Sequence, residues 1–195
     1  TAEESTLTNE EIKLARAIYY RVLAALPENE RNAREFKLLF RAMPEIGPNA
    51  FALPGGTMVM TDELIREFPN EDIIAGIIGH ELGHVVEEHG LRRLYRSLGS
   101  YVLIALLAGD TGPMLKEILL EGNALLSLVY SRAQESAADE FGLTLSHRAG
   151  FDPAGLKVFF EKLGTEINDQ VHWISTHPSH ANRIEAIEFH INSLK

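Results

Sequence analysis

Cysteine is absent from this 195-residue chain, which removes disulfides, thiolate-ligated metals and thiol nucleophiles from consideration. Any metal site must then be built from histidine and carboxylate. Positive charge is scarce as well: 18 Lys and Arg face 28 Asp and Glu, for a net charge of −10. No nucleic-acid partner held through its phosphates is expected of such a chain. Membrane-length apolar runs are also missing. The apolar run from Leu98 to Gly109 lies between Arg96 and Asp110, which only 13 residues separate, whereas a bilayer span takes roughly 20. That run reads as a buried helix or a flap, with attachment to a membrane surface as the other option. Internal repeats and low-complexity segments are lacking too.

What is present suits one well-cored soluble domain covering residues 1–195. Apolar residues make up 45% and charged ones 24%, and no composition break divides the chain. It begins at Thr1 rather than methionine, as expected of a processed or trimmed chain whose signal segment or anchor would lie upstream.

Taken in order, the residues up to Ser5 are polar and expected to be loose. Thr8 with Glu11 forms a capping box, and Ile12, Ala15, Ile18, Tyr19, Val22 and Leu26 recur at helical spacing until Pro27. Phe36–Phe40, Asn49–Leu53 and Thr57–Met60 read as short strands, the last two flanking a turn at Pro54-Gly55-Gly56. A small antiparallel sheet is expected from them. It serves either as a cover for the core or as an exposed edge that pairs with an extended peptide through Asn49, Ala50 and Phe51. Thr61 opens a short helix ending near Phe68. Asn70 caps the next one, with Gly90 as its expected stop. A turn at 109–113, a helix over Met114–Val129 and another from about Ser131 to Arg148 follow. Asp152 and Pro153 begin a helix whose buried face carries Val158, Phe159 and Leu163. After a less regular stretch from Asn168 to Trp173, Ser179 opens the last helix, with Ile184, Ile187 and Ile191.

The chemistry concentrates in His80-Glu81-Leu82-Gly83-His84. On a helix His80 and His84 stand about 40° apart around the axis and roughly 6 Å along it, so both imidazoles reach one ion. Glu81 lies about 60° from His84, close enough to touch a water on that ion. With 8 His in 195 residues, chance supplies roughly 0.04 such patterns, so the context has to decide. Ile73, Ile74, Ile77, Ile78, Val85 and Val86 surround the motif, where unpartnered histidines and a glutamate would be costly. A zinc site with a hydrolytic base fits that setting.

Two histidines leave such a site one protein ligand short. The pattern His-x-x-Gly-x-x-His fails, because Glu87 and Gly90 occupy its positions. Glu135-Ser136-Ala137-Ala138-Asp139 is the best source of a third ligand. Glu135 would bind the metal, while Asp139, on the same helix face, would hold the second nitrogen of a histidine, by preference His80. The plainer reading is a solvated acidic helix paired with Arg132 and Arg148, which the small apolar residues between the acids disfavour. A last cluster, Ser175-Thr176-His177-Pro178 with Arg183 one turn into the final helix, admits two readings. Either it faces the metal opposite the base and holds an oxyanion, or it is a helix cap with surface His and Arg.

These segments together resemble peptidase family M48, the zinc metallopeptidases that include the CAAX prenyl protease and the bacterial heat-shock protease. The resemblance rests on Asn49-Ala50-Phe51-Ala52-Leu53-Pro54-Gly55-Gly56, His80-Glu81-Leu82-Gly83-His84, Tyr130 to Asp139, and Ser175-Thr176-His177-Pro178 with Arg183. It implies a mainly helical, gluzincin-like α+β fold. One zinc ion per chain would be bound by His80, His84 and Glu135, with Glu81 as base and Asp139 behind the ligands. His177 and Arg183 match positions that assist the transition state or cap the zinc at rest. The implied activity is endopeptidase cleavage of protein or peptide substrates. With no membrane span, the resemblance points to the periplasmic or envelope-associated branch and to envelope protein quality control. The rival from another class is a catalytically quiet, chaperone-like adaptor that keeps the metal.

Overall fold

The structure, a computed structural model, describes residues 2–96, 99, 129–166, 173, 177 and 182–194. Apart from Gly99, Val129 and Trp173, the expected run from Leu98, turn at 109–113, helix from Met114, irregular stretch before Trp173 and start of the last helix at Ser179 lie outside the described residues.

Helix α1 (Asn9–Ala24) begins at the expected capping box: Thr8 accepts from the Glu11 N–H, and the Glu11 carboxylate accepts from the Thr8 N–H at 2.7 Å. It buries Ala15, Ile18, Tyr19 and Val22, the stripe that its 3.6-residue period predicts. A short helix, α2 (Glu28–Asn32), follows Pro27. Strands β2 (Lys37–Ala42), β3 (Ala50–Ala52) and β4 (Thr57–Thr61) then form a sheet with β1 (Glu3–Glu4), in the order β1-β2-β4-β3.

This sheet corrects two expectations. The N-terminal residues are not loose, since β1 pairs antiparallel with β2. Nor is the sheet antiparallel throughout, because β2 and β4 run parallel, with Lys37 opposite Thr57 and Arg41 opposite Thr61. The chain between β2 and β4 passes to the far side of β4, makes β3 there, and turns back at Pro54-Gly55-Gly56. Gly56 takes a φ of +96° in that turn, a backbone state open mainly to glycine. The detour leaves β3 on an outer edge.

Helix α3 (Asp62–Glu67) is capped by Thr61, and α4 (Glu71–Val86) by Asn70, whose side chain accepts from the Asp72 and Ile73 amides. Every residue of α4 from Ile73 to Val85 is buried, as a helix apolar on all sides must be. It ends at Val86, not at Gly90. Glu88 adopts φ +56°, the chain turns there, and residues 89–96 start a new helical segment that includes Gly90. Helices α5 (Arg132–Arg148), α6 (Ala154–Glu166) and α7 (Arg183–Ser193) complete the described elements. Asp152 caps α6 by accepting from the Ala154 N–H at 2.9 Å. Val158 is not on its buried face; it is 37% exposed, while Leu156, Phe159, Phe160 and Leu163 are buried.

Helix α4 packs on α1, α5, α6 and β3. Its seam with α5 is glycine-lined. A Cβ on Gly79 would fall 2.7 Å from the Gly142 carbonyl oxygen, and one on Gly142 would fall 2.6 Å from the His80 nitrogen. Backbone therefore meets backbone where the His-Glu-x-x-His motif faces α5. The fold is mainly helical with a small mixed sheet, and α4 is its axis.

Candidate metal centre

Helix α4 presents His80, Glu81 and His84 one turn apart, α5 presents Glu135 and Asp139 across the glycine seam, and all five are buried. His80, His84, Glu135 and His177 each offer one ligand atom, and the four atoms lie within 4.8 Å of one another. His84 Nε2 is 3.1 Å from His80 Nε2, which is 3.2 Å from His177 Nδ1. Glu135 Oε1 lies 3.1 Å from His177 Nδ1 and 3.3 Å from His84 Nε2.

These separations test whether a metal fits. Ligand atoms held at about 2.0–2.1 Å from a tetrahedral centre stand roughly 3.3 Å from each other. The observed contacts match that edge length, and the donor set of imidazole and carboxylate suits a first-row divalent ion. Three ring nitrogens and a carboxylate buried and turned on one point are otherwise a costly arrangement. The residues fit a metal ion.

The remaining groups hold these donors in place. His80 Nδ1 lies 2.9 Å from Asp139 Oδ1, leaving Nε2 to face the cluster. Arg183 is the first residue of α7 rather than a turn inside it, and it is 2% exposed. Its Nε donates to Asp139 Oδ2 at 2.7 Å and its Nη2 to Asp139 Oδ1 at 2.8 Å, while Nη2 also stands 2.8 Å from Glu135 Oε2. The guanidinium thus faces the two carboxylates. His177 stands on the side of the base, its Nε2 3.3 Å from Glu81 Oε1. The other Glu81 oxygen, Oε2, accepts from the Ala52 N–H at 2.9 Å, so strand β3 touches the motif directly.

Electrostatics follow from burial opposed by partners. Burial pushes Glu81 above the usual carboxylate value, with His177 and His80 pulling it back. Burial likewise drives His84 well below the usual histidine value, despite the bond to Glu135. For Glu135 burial also acts upward, but the bonds from His177 and His84 win and hold the carboxylate well below its ordinary range. For His80 burial acts downward, but the bond to Asp139 and the charges of Asp139 and Glu135 win and raise its pKa.

Ala50 and Phe51 lie on strand β3 and Asn49 just before it, with Asn49 and Ala50 buried. The Asn49 N–H donates to Thr61 Oγ1 at 2.9 Å, and its carbonyl accepts from the Thr61 N–H at 2.9 Å. Phe51 pairs with Val59. By alternation, Ala50 and Ala52 turn their backbone groups away from β4; among the described residues no strand pairs there, but Ala50 is buried and the Ala52 N–H is the one that Glu81 accepts.

Sequence reasoning missed three neighbours. Tyr130 stacks on His84 with ring centroids 3.9 Å apart, and Trp173 stacks on His177 at 4.5 Å. Tyr130 opens the segment that runs to Asp139, but nothing in its spacing marks it as a ring partner. His89 Nδ1 lies 3.0 Å from His84 Nδ1. On an unbroken helix it would stand about 140° from His84; only the turn at Glu88 brings it back.

A family description, Peptidase family M48, matches residues 15–190. The mitochondrial metalloendopeptidase OMA1 of Schizosaccharomyces pombe is 34% identical over 146 residues, which is 72% of this chain and 43% of that protein. The human mitochondrial metalloendopeptidase OMA1 is 31% identical over 157 residues, 72% of this chain and 30% of its own length. The beta-barrel assembly-enhancing protease of Escherichia coli K12 is 31% identical over 126 residues, 59% of this chain and 26% of its own. This chain therefore spans less than half the length of these relatives.

Proposed function

Because this chain belongs to peptidase family M48, we propose that it forms, as one domain, the catalytic part of a zinc-dependent endopeptidase that hydrolyses peptide bonds in protein substrates. One observation carries the reading: the ligand atoms of His80, His84, Glu135 and His177 converge within 4.8 Å, directly beside the buried carboxylate of Glu81.

His80, His84 and Glu135 would hold one zinc ion, which when bound would supply a Lewis acid for the scissile carbonyl and lower the pKa of a water. Glu81 is placed to serve as the base that takes up a proton and returns it to the leaving amine. Its raised proton affinity in the buried site suits the exchange. Asp139 keeps the His80 hydrogen on Nδ1, so that Nε2 keeps its lone pair for the metal. Arg183 neutralises Asp139 and Glu135 from behind. His177, at the fourth corner of the donor set, closes the site at rest and must swing aside, or turn to the developing oxyanion, when substrate enters. The substrate chain lies extended along β3, meeting the outward carbonyl of Ala52, whose N–H is already held by Glu81.

Among the described residues no helix is long and apolar enough to cross a membrane. We place the enzyme in a cell envelope, at a membrane surface or free of it; the similar bacterial protein is named for enhancing β-barrel assembly, and the OMA1 relatives are named as mitochondrial. The test of the activity is Glu81→Gln. It is expected to retain one zinc per chain by elemental analysis and to lose hydrolysis of an unfolded casein substrate by a factor on the order of 10³ or more. Turnover equal to wild type would refute the mechanism.

A further inference from the structure

Each metal-facing histidine of α4 has a second ring nitrogen, and the two are held differently. His80 leans on a carboxylate, Asp139, at 2.9 Å. His84 leans on another imidazole: its Nδ1 lies 3.0 Å from Nδ1 of His89. His89 is 5% exposed, and it reaches this place because Glu88 takes φ +56° and restarts the helix in a new direction.

Stacking alone does not fix His84. Tyr130 lies on its ring at 3.9 Å with the planes inclined by 25°, which sets the plane of the imidazole. It does not choose between the two ring orientations, since a half-turn about Cβ–Cγ keeps the plane but puts Cε1 in the place of Nε2 and Cδ2 in the place of Nδ1. A hydrogen bond at one nitrogen removes that freedom. His84 Nε2 stands among the donor atoms, 3.1 Å from His80 Nε2, and a metal-binding nitrogen must present its lone pair. The neutral ring then carries its hydrogen on Nδ1. Two nitrogens 3.0 Å apart need one donor and one acceptor, so His89 Nδ1 accepts and the hydrogen of His89 sits on Nε2.

We infer that His89 is a positioning residue for the metal site: it accepts the Nδ1–H of His84 and so holds His84 in the tautomer and rotation that bind zinc. It touches neither metal nor substrate. The inference rests on the zinc reading of the site given above. It also makes the two ligands unequal, because a neutral imidazole raises the basicity of its partner less than an ionised carboxylate does.

The experiment is a chelator-competition titration of zinc on the full chain and two variants. His89→Phe keeps a ring in the same volume but offers no acceptor; His89→Asn places an oxygen near the position of Nδ1. The zinc dissociation constant is expected to rise about 10- to 100-fold for His89→Phe and to stay within about threefold of wild type for His89→Asn. Equal affinity for wild type and His89→Phe, or equal weakening in both variants, would overturn the assignment and leave only a packing role. A second readout needs no variant. In the zinc-loaded wild type, nitrogen-15 spectra of the histidines are expected to show His89 protonated at Nε2, and protonation at Nδ1 would overturn the proposal even if His89→Phe failed to fold. Should the wild type take up no stoichiometric zinc, or take it up equally as His80→Ala, the site reading itself falls, and the inference falls with it.

Discussion

Arg183 brings a guanidinium into a space shared with Phe160, whose ring lies 4.1 Å beneath it, and with the buried acids Asp139 and Glu135. Burial alone would push its proton off, but the bonds to Asp139 and the charge of Glu135 raise its pKa instead. The same pairing, with that from His80, holds Asp139 below its ordinary value against the effect of burial. Removing the cation therefore strands two charges that water cannot reach. Arg183→Leu is expected to cost the metal-free protein about 3–5 kcal/mol, measured as a fall in the urea midpoint without a change in slope. Arg183→Lys should recover only part of this, since an ammonium cannot span the two oxygens of Asp139 as the guanidinium does. A loss below about 1 kcal/mol for Arg183→Leu would mean that the acids are protonated or solvated. At this scale the sequence was legible where residues share one helix face. Glu135 and Asp139, four apart, meet the motif helix together. It was not legible for Arg183 and His177, because spacing along a chain does not say from which side another element arrives.

Between elements, the distance from α4 to α5 is set by what is missing from their seam. Gly79 and Gly142 face each other, and Gly83 faces Ala138, where an added Cβ would stand 3.1 Å from the alanine Cα. Gly142→Ala puts a methyl 2.6 Å from the His80 nitrogen, and backbone cannot yield as a flexible side chain would. The helices must part, at about 1–3 kcal/mol, and Glu135 moves away from His80 and His84. We expect a lower melting temperature and weakened zinc binding together. Gly55→Ala serves as the control, because no atom lies within 4 Å of its added Cβ, and both properties should stay at wild type. A Gly142→Ala protein with normal zinc affinity would show that the seam does not set the site. Helix ends were mostly readable, since Thr8, Thr61, Asn70 and Ser131 each accept the hydrogen bonds that their positions announce. Gly90 misled, because the left-handed residue that ends α4 is a glutamate. Strand direction was hidden for another reason. A hairpin can be read from its turn, as β3 and β4 were, whereas the parallel partner of β4 lies some 20 residues away and no local signal names it.

Across the whole molecule, the donor atoms come from parts of the chain far apart in sequence: α4, α5 and the residue His177, with Arg183 of α7 behind them and Ala52 of β3 against the base. A ligand held this way is bound by the folded chain and hardly at all by the unfolded one, so its binding energy becomes folding energy. Free zinc at about a thousand times its dissociation constant adds roughly 4 kcal/mol to stability. For a chain of this size, with about 2–4 °C per kcal/mol, chelation should lower the melting temperature by roughly 8–16 °C. The variants separate binding from chemistry. Glu81→Gln should melt with the same chelator-sensitive shift as wild type while cleaving nothing, and Glu135→Ala should melt alike with and without chelator. Calorimetry on the three proteins, each with and without chelator, checks this directly. A wild type indifferent to chelation would mean that the donors converge without a metal to hold, and a Glu135→Ala protein that keeps the full shift would remove that carboxylate from the ligands.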